Sequence, residues 1–264
     1  MLRLFKALAI TITPLILSAC VSQKTYVGSD KPVIEKQSTP IEAAKNRVAL
    51  GLTYLQKGNA AQAKYNLDKA LEFAPKLPEA HYSLAYYYQT VGEIDKADAA
   101  YKKVISLDKK NGDALNNYGA FLCQQGKVEL AKDYFLQAVK IESYIRVAQT
   151  YENLGLCLYD TGKTEYNEEV EKYLTSALGY NPKLIKSLQT LVELYKKTNN
   201  FAKAYRYVQQ LDLAHKNNPS VIYNAYQLAE QVGDKRGASV YARRLLIDFP
   251  ASSETQQLRQ ALTQ

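Results

Sequence analysis

Residues able to do chemistry are few in this chain, and their spacing suits little of it. Its 264 residues include two histidines, His81 and His215, and three cysteines, Cys20, Cys123 and Cys157. The histidines stand in distant parts of the chain, so the spacing suggests neither a metal pair nor a histidine-activated nucleophile. Gly162-Lys163-Thr164 has the end of a phosphate-binding loop, but the glycine needed five residues earlier is replaced by Cys157. Ser106-Leu107-Asp108-Lys109 fits Ser-x-x-Lys at an expected helix end, without the companion motifs of that chemistry. No catalytic residue, metal ligand, cofactor or small-molecule substrate is assigned. Recognition chemistry is better represented: 22 tyrosines, with Tyr86, Tyr87 and Tyr88 consecutive, and no tryptophan. Tyrosine offers apolar area with a polar tip and suits protein interfaces.

The third cysteine has its own explanation. Arg3 and Lys6 precede an apolar run from Ala7 to Leu17, interrupted by Pro14 and too short to span a bilayer. Residues 1–19 read as a secretory signal peptide. Leu17-Ser18-Ala19-Cys20 resembles the bacterial lipobox, which implies a diacylglycerol thioether on Cys20 after cleavage. Val21, rather than Asp, implies delivery to the outer membrane. Several acyl chains at about 0.8 kcal/mol per buried CH₂ make such an anchor stable. Residues 20–40 are polar, contain Pro32 and Pro40 and lack a hydrophobic period, as a tether would. A flexible coil of that length averages roughly 25 Å end to end. Losing Arg3 and Lys6 takes the formal charge from +8 to +6. The remaining charges of both signs are interspersed, which indicates solvated helix faces and no nucleic-acid partner.

From Ile41 onward one pattern recurs. Gly51, Ala85, Gly119 and Gly155 are each followed three residues later by Tyr54, Tyr88, Leu122 or Leu158. Four residues further on come Gly58, Gly92, Gly126 and Gly162. Ala63, Ala97 and Ala131 follow at a common offset, and the first three units repeat every 34 residues. Weaker fifth and sixth units carry Leu191, Tyr195 and Ala204, then Ala225, Gly233 and Ala238, with Asn199 in place of the turn glycine. The register slips by two residues near Glu142–Ala148 and by three around Thr164–Asn167. Apolar residues at i, i+3 and i+4 share a helix face, and small residues allow two helices to approach. The pattern resembles the tetratricopeptide repeat, whose period is 34 residues. It implies an all-α, right-handed superhelix of six repeats over 41–264, closed by a capping helix from near Ser253. No unit buries its apolar face alone, so stacking is obligatory.

In such arrays the first helix of each unit lines a concave groove. Carried onto this chain, the groove positions are Glu79, Tyr82, Tyr86 and Gln89 in the second unit. Asn116 and Gln124 follow in the third, Glu152 and Tyr159 in the fourth. Tyr88 falls on a core position. Cys123 and Cys157 lie on neighbouring first helices, and in an oxidising compartment a disulfide is feasible. Two separate buried thiols are the alternative.

Leu115-Asn116-Asn117-Tyr118-Gly119-Ala120-Phe121-Leu122-Cys123, then Tyr151-Glu152-Asn153-Leu154-Gly155-Leu156-Cys157, is more specific than the repeat consensus. With the lipobox, the short tether and six repeats, it resembles the type IV pilus biogenesis/stability lipoproteins of the PilW/PilF kind. The resemblance implies a pilotin: a non-catalytic lipoprotein on the periplasmic face of the bacterial outer membrane. Its partners would be secretin subunits, whose localisation and assembly it promotes. The alternative is another repeat lipoprotein of envelope assembly, acting in outer-membrane-protein insertion or as an adaptor for peptidoglycan enzymes.

Overall fold

The computed structural model describes residues 39–263. Cys20, the expected signal peptide and the expected tether up to residue 38 lie outside the described residues. Among the described residues there are thirteen α-helices, one short 3₁₀ turn and no strand. The first unit pairs α1 (Pro40–Gln56) with α2 (Ala60–Phe73), the second α3 (Pro78–Thr90) with α4 (Ile94–Leu107). α5 (Gly112–Gln124) and α6 (Val128–Val139) form the third unit, α7 (Val147–Asp160) and α8 (Asn167–Tyr180) the fourth. α9 (Ile185–Lys197) and α10 (Phe201–Ala214) make the fifth, α11 (Pro219–Val232) and α12 (Lys235–Asp248) the sixth. α13 (Ser253–Leu262) follows as the capping helix, packing on α11 and α12.

Local chemistry sets these boundaries. Asn59, Asn111, Asn200, Asn218, Asp234 and Ser252 cap helices with side-chain oxygens that accept otherwise unpaired backbone N–H groups. Pro78 and Pro219 open α3 and α11, where a missing N–H costs nothing. Gly233 (φ 80°) takes the left-handed conformation that turns α11 back into α12. Asn199 does the same between α9 and α10 at φ 55°, a conformation asparagine tolerates better than most residues.

Packing follows the repeat. Ala63, Ala97, Ala131, Val170, Ala204 and Ala238 are all buried, so the second helix of each pair lies close on the first. At Gly155 the approach is so tight that an added Cβ would stand 2.5 Å from Leu174 Cδ2. Successive units then stack, with α5 on α7 and α7 on α9 among the first helices. The core is continuous from Ala85 to Leu258, and its N-terminal part is aromatic: Tyr101, Tyr118 and Phe121 sit with ring centroids 5.3–6.1 Å apart. Burial pushes the Tyr101 phenol well above its usual range. Pro40–Gln264 is a compact unit whose core comes from its own residues.

Both slips in the repeat have structural counterparts. Before α7 the connector 140–146 is longer than the one before α5. Tyr144 folds back over Gly112 and packs with Leu115 and Ala138. Its hydroxyl and Thr150 Oγ1 share a hydrogen bond of 2.8 Å. The three-residue insertion is the 3₁₀ turn Thr164–Tyr166, from which Tyr166 Oη donates to Glu129 Oε1 at 2.8 Å. Tyr88 packs against the core as expected but is only half-buried, with Lys64 Nζ and Lys96 Nζ each 5.8 Å from its ring.

Candidate protein-binding groove

Neighbouring first helices bring residues about one repeat apart into lateral contact, and a chain of polar bonds runs across them. Gln89 Nε2 on α3 donates to Gln124 Oε1 on α5 at 2.8 Å. Asn153 Nδ2 on α7 donates to Asn116 Oδ1 on α5 at 3.0 Å. Glu152 Oε1 on α7 accepts from Ser187 N (3.1 Å) and Ser187 Oγ (2.9 Å) on α9. Lys196 Nζ on α9 reaches Asn224 Oδ1 on α11 at 3.4 Å, and Ser220 Oγ on α11 donates to Glu254 on α13. Disulfide-bonded Cys123 and Cys157 join α5 to α7, with Cα atoms 5.9 Å apart.

This stitching changes the reading of two expected groove residues. Glu152 is 4 % exposed, and Gln149 Nε2 occupies its other oxygen at 3.2 Å. Its carboxylate caps the free N–H of Ser187 in the first turn of α9, a use of charge inside the array. Asn116 is likewise buried, its carbonyl oxygen committed to Asn153. Both lie on flanks where adjacent first helices meet, and the neighbouring helix takes up their polar atoms. Gln89 is partly committed as well, since its Oε1 accepts from Tyr101 Oη at 2.7 Å.

The other expected residues remain accessible. Glu79, Tyr86 and Gln124 are exposed. Tyr82 is half-buried, edge-on to Tyr101 at 6.3 Å, and burial together with the Asp113 charge raises its phenol pKa. Tyr159 is half-buried, with Lys197 Nζ 4.7 Å from its ring. Glu79 and Tyr82 face a cleft of about 220 Å³ completed by Asn111, Asp113, Asn117 and Arg146, where Arg146 Nη1 lies 3.4 Å from Asp113 Oδ1. A matching cleft of about 280 Å³ lies three units on, between Gln189 and Glu193 of α9 and Asn218 and Asn224 of α11. Each cleft has an asparagine at the helix N-cap and another six residues later. That repeated pair is a signal present in the sequence. A carboxamide donates and accepts together, as an extended peptide backbone does.

Pro78 also borders a second, apolar cavity of about 490 Å³, lined by Ile41, Phe73, Pro75 and Leu77. Phe73 is 44 % and Ile41 55 % exposed. Polar and apolar recognition surfaces therefore adjoin at the start of α3. The histidines lie apart from both: His81 Nε2 is 2.9 Å from Pro75 O, and His215 Nδ1 is 3.4 Å from Asn218 Nδ2. Among the described residues no three His, Cys, Asp or Glu side chains are grouped to hold a metal ion. None of the described helices is long and apolar enough to cross a membrane.

Comparison with known proteins agrees with this architecture. The tetratricopeptide repeat family matches residues 44–77, and the YpiA-like C-terminal tetratricopeptide repeats match residues 78–143. An uncharacterised protein of Haemophilus influenzae is 40 % identical over 168 residues, covering 63 % of this chain and 88 % of its own. A solved structure of PilW, a type IV pilus biogenesis factor, shares the fold with a TM-score of 0.61 at 22 % identity, over 81 % of this chain and 97 % of that one. Type IV pilus assembly protein PilF of Pseudomonas aeruginosa is 30 % identical over 240 residues, 88 % of this chain and 94 % of PilF. A Pseudomonas aeruginosa PilF structure superposes with a TM-score of 0.65, over 85 % of this chain and all of its own. With that identity sustained over nearly the whole of both chains, and with the same stack of helix pairs, this chain belongs to the PilF family of tetratricopeptide-repeat proteins.

Proposed function

We propose that this protein is a non-catalytic scaffold of type IV pilus biogenesis, and within that role a pilotin. In this reading Cys20 carries the lipid that holds it on the periplasmic face of the outer membrane. The repeats grip a segment of a secretin subunit and promote its localisation and assembly. The observation that supports a gripping role best is the pair of cavities meeting at Pro78. An extended segment could lay an apolar side chain against Phe73 and Ile41 while its backbone meets Asn111, Asn117 and Arg146. Membership in the PilF family supplies the pilus context.

The test is retention of secretin from envelope extracts by the tagged chain, compared across variants. Phe73→Ser and Asn117→Ala should each weaken retention about tenfold, as removal of an interface anchor does. Both should leave the melting temperature nearly unchanged, because Phe73 is exposed and Asn117 lines an open cleft. Leu84→Ala, in the buried core, should instead destabilise by about 2–5 kcal/mol. Cys20→Ala should move the protein out of the outer-membrane fraction. Retrieval of barrel-insertion machinery or cell-wall hydrolases in place of secretin would refute the pilotin role.

A further inference from the structure

The outer faces of the last two units differ in charge from the rest of the array. α2, α4, α6 and α8 together carry seven Lys and Arg against nine Asp and Glu, whereas α10 and α12 carry six against two. Of those six, Lys203, Lys235 and Arg244 pair with Glu171, Glu230 and Asp212. Arg206, Arg236 and Arg243 enter no ion pair among the described residues and are exposed. Arg236 sits in the first turn of α12, where the helix dipole disfavours a cation. The corresponding places on α4, α6 and α8 hold Asp95, Glu129 and Glu168. The acidic group acting on Arg236 there is the N-cap Asp234, already bonded to Gly237 N and Tyr205 Oη.

Apolar residues stand among these cations. Leu213 is 71 %, Val240 52 % and Ile247 62 % exposed. Arg236, Val240, Arg243 and Ile247 recur at i, i+4, i+7 and i+11, which puts them on one narrow stripe of α12. Leu213 is their counterpart on α10. The shallow cleft between the two helices is already braced by Arg244 on Asp212 and Tyr205 Oη on Asp234 (2.8 Å). Arg236 and Val240 border that shallow cleft, whereas Arg206, Leu213, Arg243 and Ile247 lie outside it. A broad anionic surface with an apolar interior meets both sets, whereas a peptide seated in the cleft would leave Arg206, Leu213, Arg243 and Ile247 uncovered.

We propose that the α10–α12 face docks on an anionic phospholipid bilayer, with Arg206, Arg236 and Arg243 at the headgroups and Leu213, Val240 and Ile247 in the interface. This contact deepens the proposed membrane location but is independent of Cys20, so the two fail separately. Residues 40–264, a compact unit with its own core, provide the test. They should sediment with vesicles of phosphatidylethanolamine and phosphatidylglycerol, not with phosphatidylcholine vesicles, and should be released by salt. Each cation near an anionic surface contributes about fivefold. Arg236→Glu with Arg243→Glu should therefore lower partitioning by roughly thirtyfold or more. Val240→Ser with Ile247→Ser should weaken it about tenfold. All four positions are exposed, and an unchanged thermal melt verifies folding. Equal binding to both vesicle types, or unchanged partitioning of both double variants, overturns the proposal. So does capture of a Glu-rich peptide by a protein that ignores phosphatidylglycerol, which would make the face a protein-binding surface.

Discussion

Replacing Glu152 separates a structural carboxylate from a partner-binding one. In the native array it accepts two bonds from Ser187 and one from Gln149, at 2.9–3.2 Å, with 4 % of its surface exposed. Hydrogen bonds to a charged group contribute roughly 1.5–3 kcal/mol each. Relief of the carboxylate's own desolvation offsets part of that sum. The one buried CH₂ that Ala lacks adds about 0.8 kcal/mol. Glu152→Ala should therefore cost about 3 kcal/mol, and the loss falls on the junction between the fourth and fifth units. Stability in a stacked array is a sum of unit and neighbour terms, so weakening one junction lowers cooperativity as well. Urea unfolding of residues 40–264 should show a lower midpoint and a shallower or split transition, with α9–α13 melting first. Glu152→Gln keeps an acceptor for Ser187 and should lose only about 1 kcal/mol. The reasoning is refuted if Glu152→Ala unfolds as the native chain does within about 0.5 kcal/mol while secretin retention disappears.

Three further outcomes follow from the same contacts. Cys123→Ser with Cys157→Ser opens a 34-residue separation and should cost about 3–4 kcal/mol in the chain-entropy treatment; non-reducing peptide mapping of the native chain should find the linked pair. Gly155→Val should destabilise by at least about 3 kcal/mol in thermal melts, because its side chain would run into Leu174 and the α8 backbone. Carboxylates along the array, among them Glu171 (held low first by Lys203), Asp234 (by the Gly237 N–H) and Glu254 (by Ser220), titrate below their ordinary range. A depressed folded pKa means full stabilisation above the unfolded value of about 4 and loss as pH falls through the folded one. The melting temperature should accordingly be flat from about pH 7 to 5 as far as these groups are concerned, and drop below about pH 4.

How much of this was legible in the sequence depends on the range of the interaction that decides it. Helix pairs, turn residues such as Asn199, and the start of α13 at Ser253 follow from local spacing and capping, so they could be read off directly. Cys123 and Cys157 were readable as a feasible bond, because adjacent first helices must lie side by side. Glu152 and Asn116 were read as groove residues, but a position count along one helix does not record which of its flanks the neighbouring first helix covers. Tyr88 packs on the core as its spacing implies, but the lysines of α2 and α4 that flank its ring are recorded by no period along α3. The apolar cavity at Phe73 was missed because its walls come from α1, the end of α2 and the turn before α3. The asparagine pair shared by Asn111–Asn117 and Asn218–Asn224 was visible throughout.

The departures from the ideal repeat are concentrated around α7, and so are the strongest cross-links. The long connector enters α7 with Tyr144 bonded to Thr150, and the 3₁₀ turn leaves it with Tyr166 bonded to Glu129 two helices back. Between those points α7 is tied to α5 by the disulfide and by Asn116, and to α9 by Glu152. An insertion in a stacked array costs regular packing at one junction, where the array would otherwise open first. Here side-chain bonds of sequence separation 34 to 37 replace what the packing lacks. The fourth unit then transmits position instead of acting as a hinge, and the cleft at α3–α5 and the cleft at α9–α11 are held in a fixed relation. A partner segment long enough to touch both asparagine pairs would meet a preorganised track, and would lose less ordering entropy on binding than it would against a jointed one.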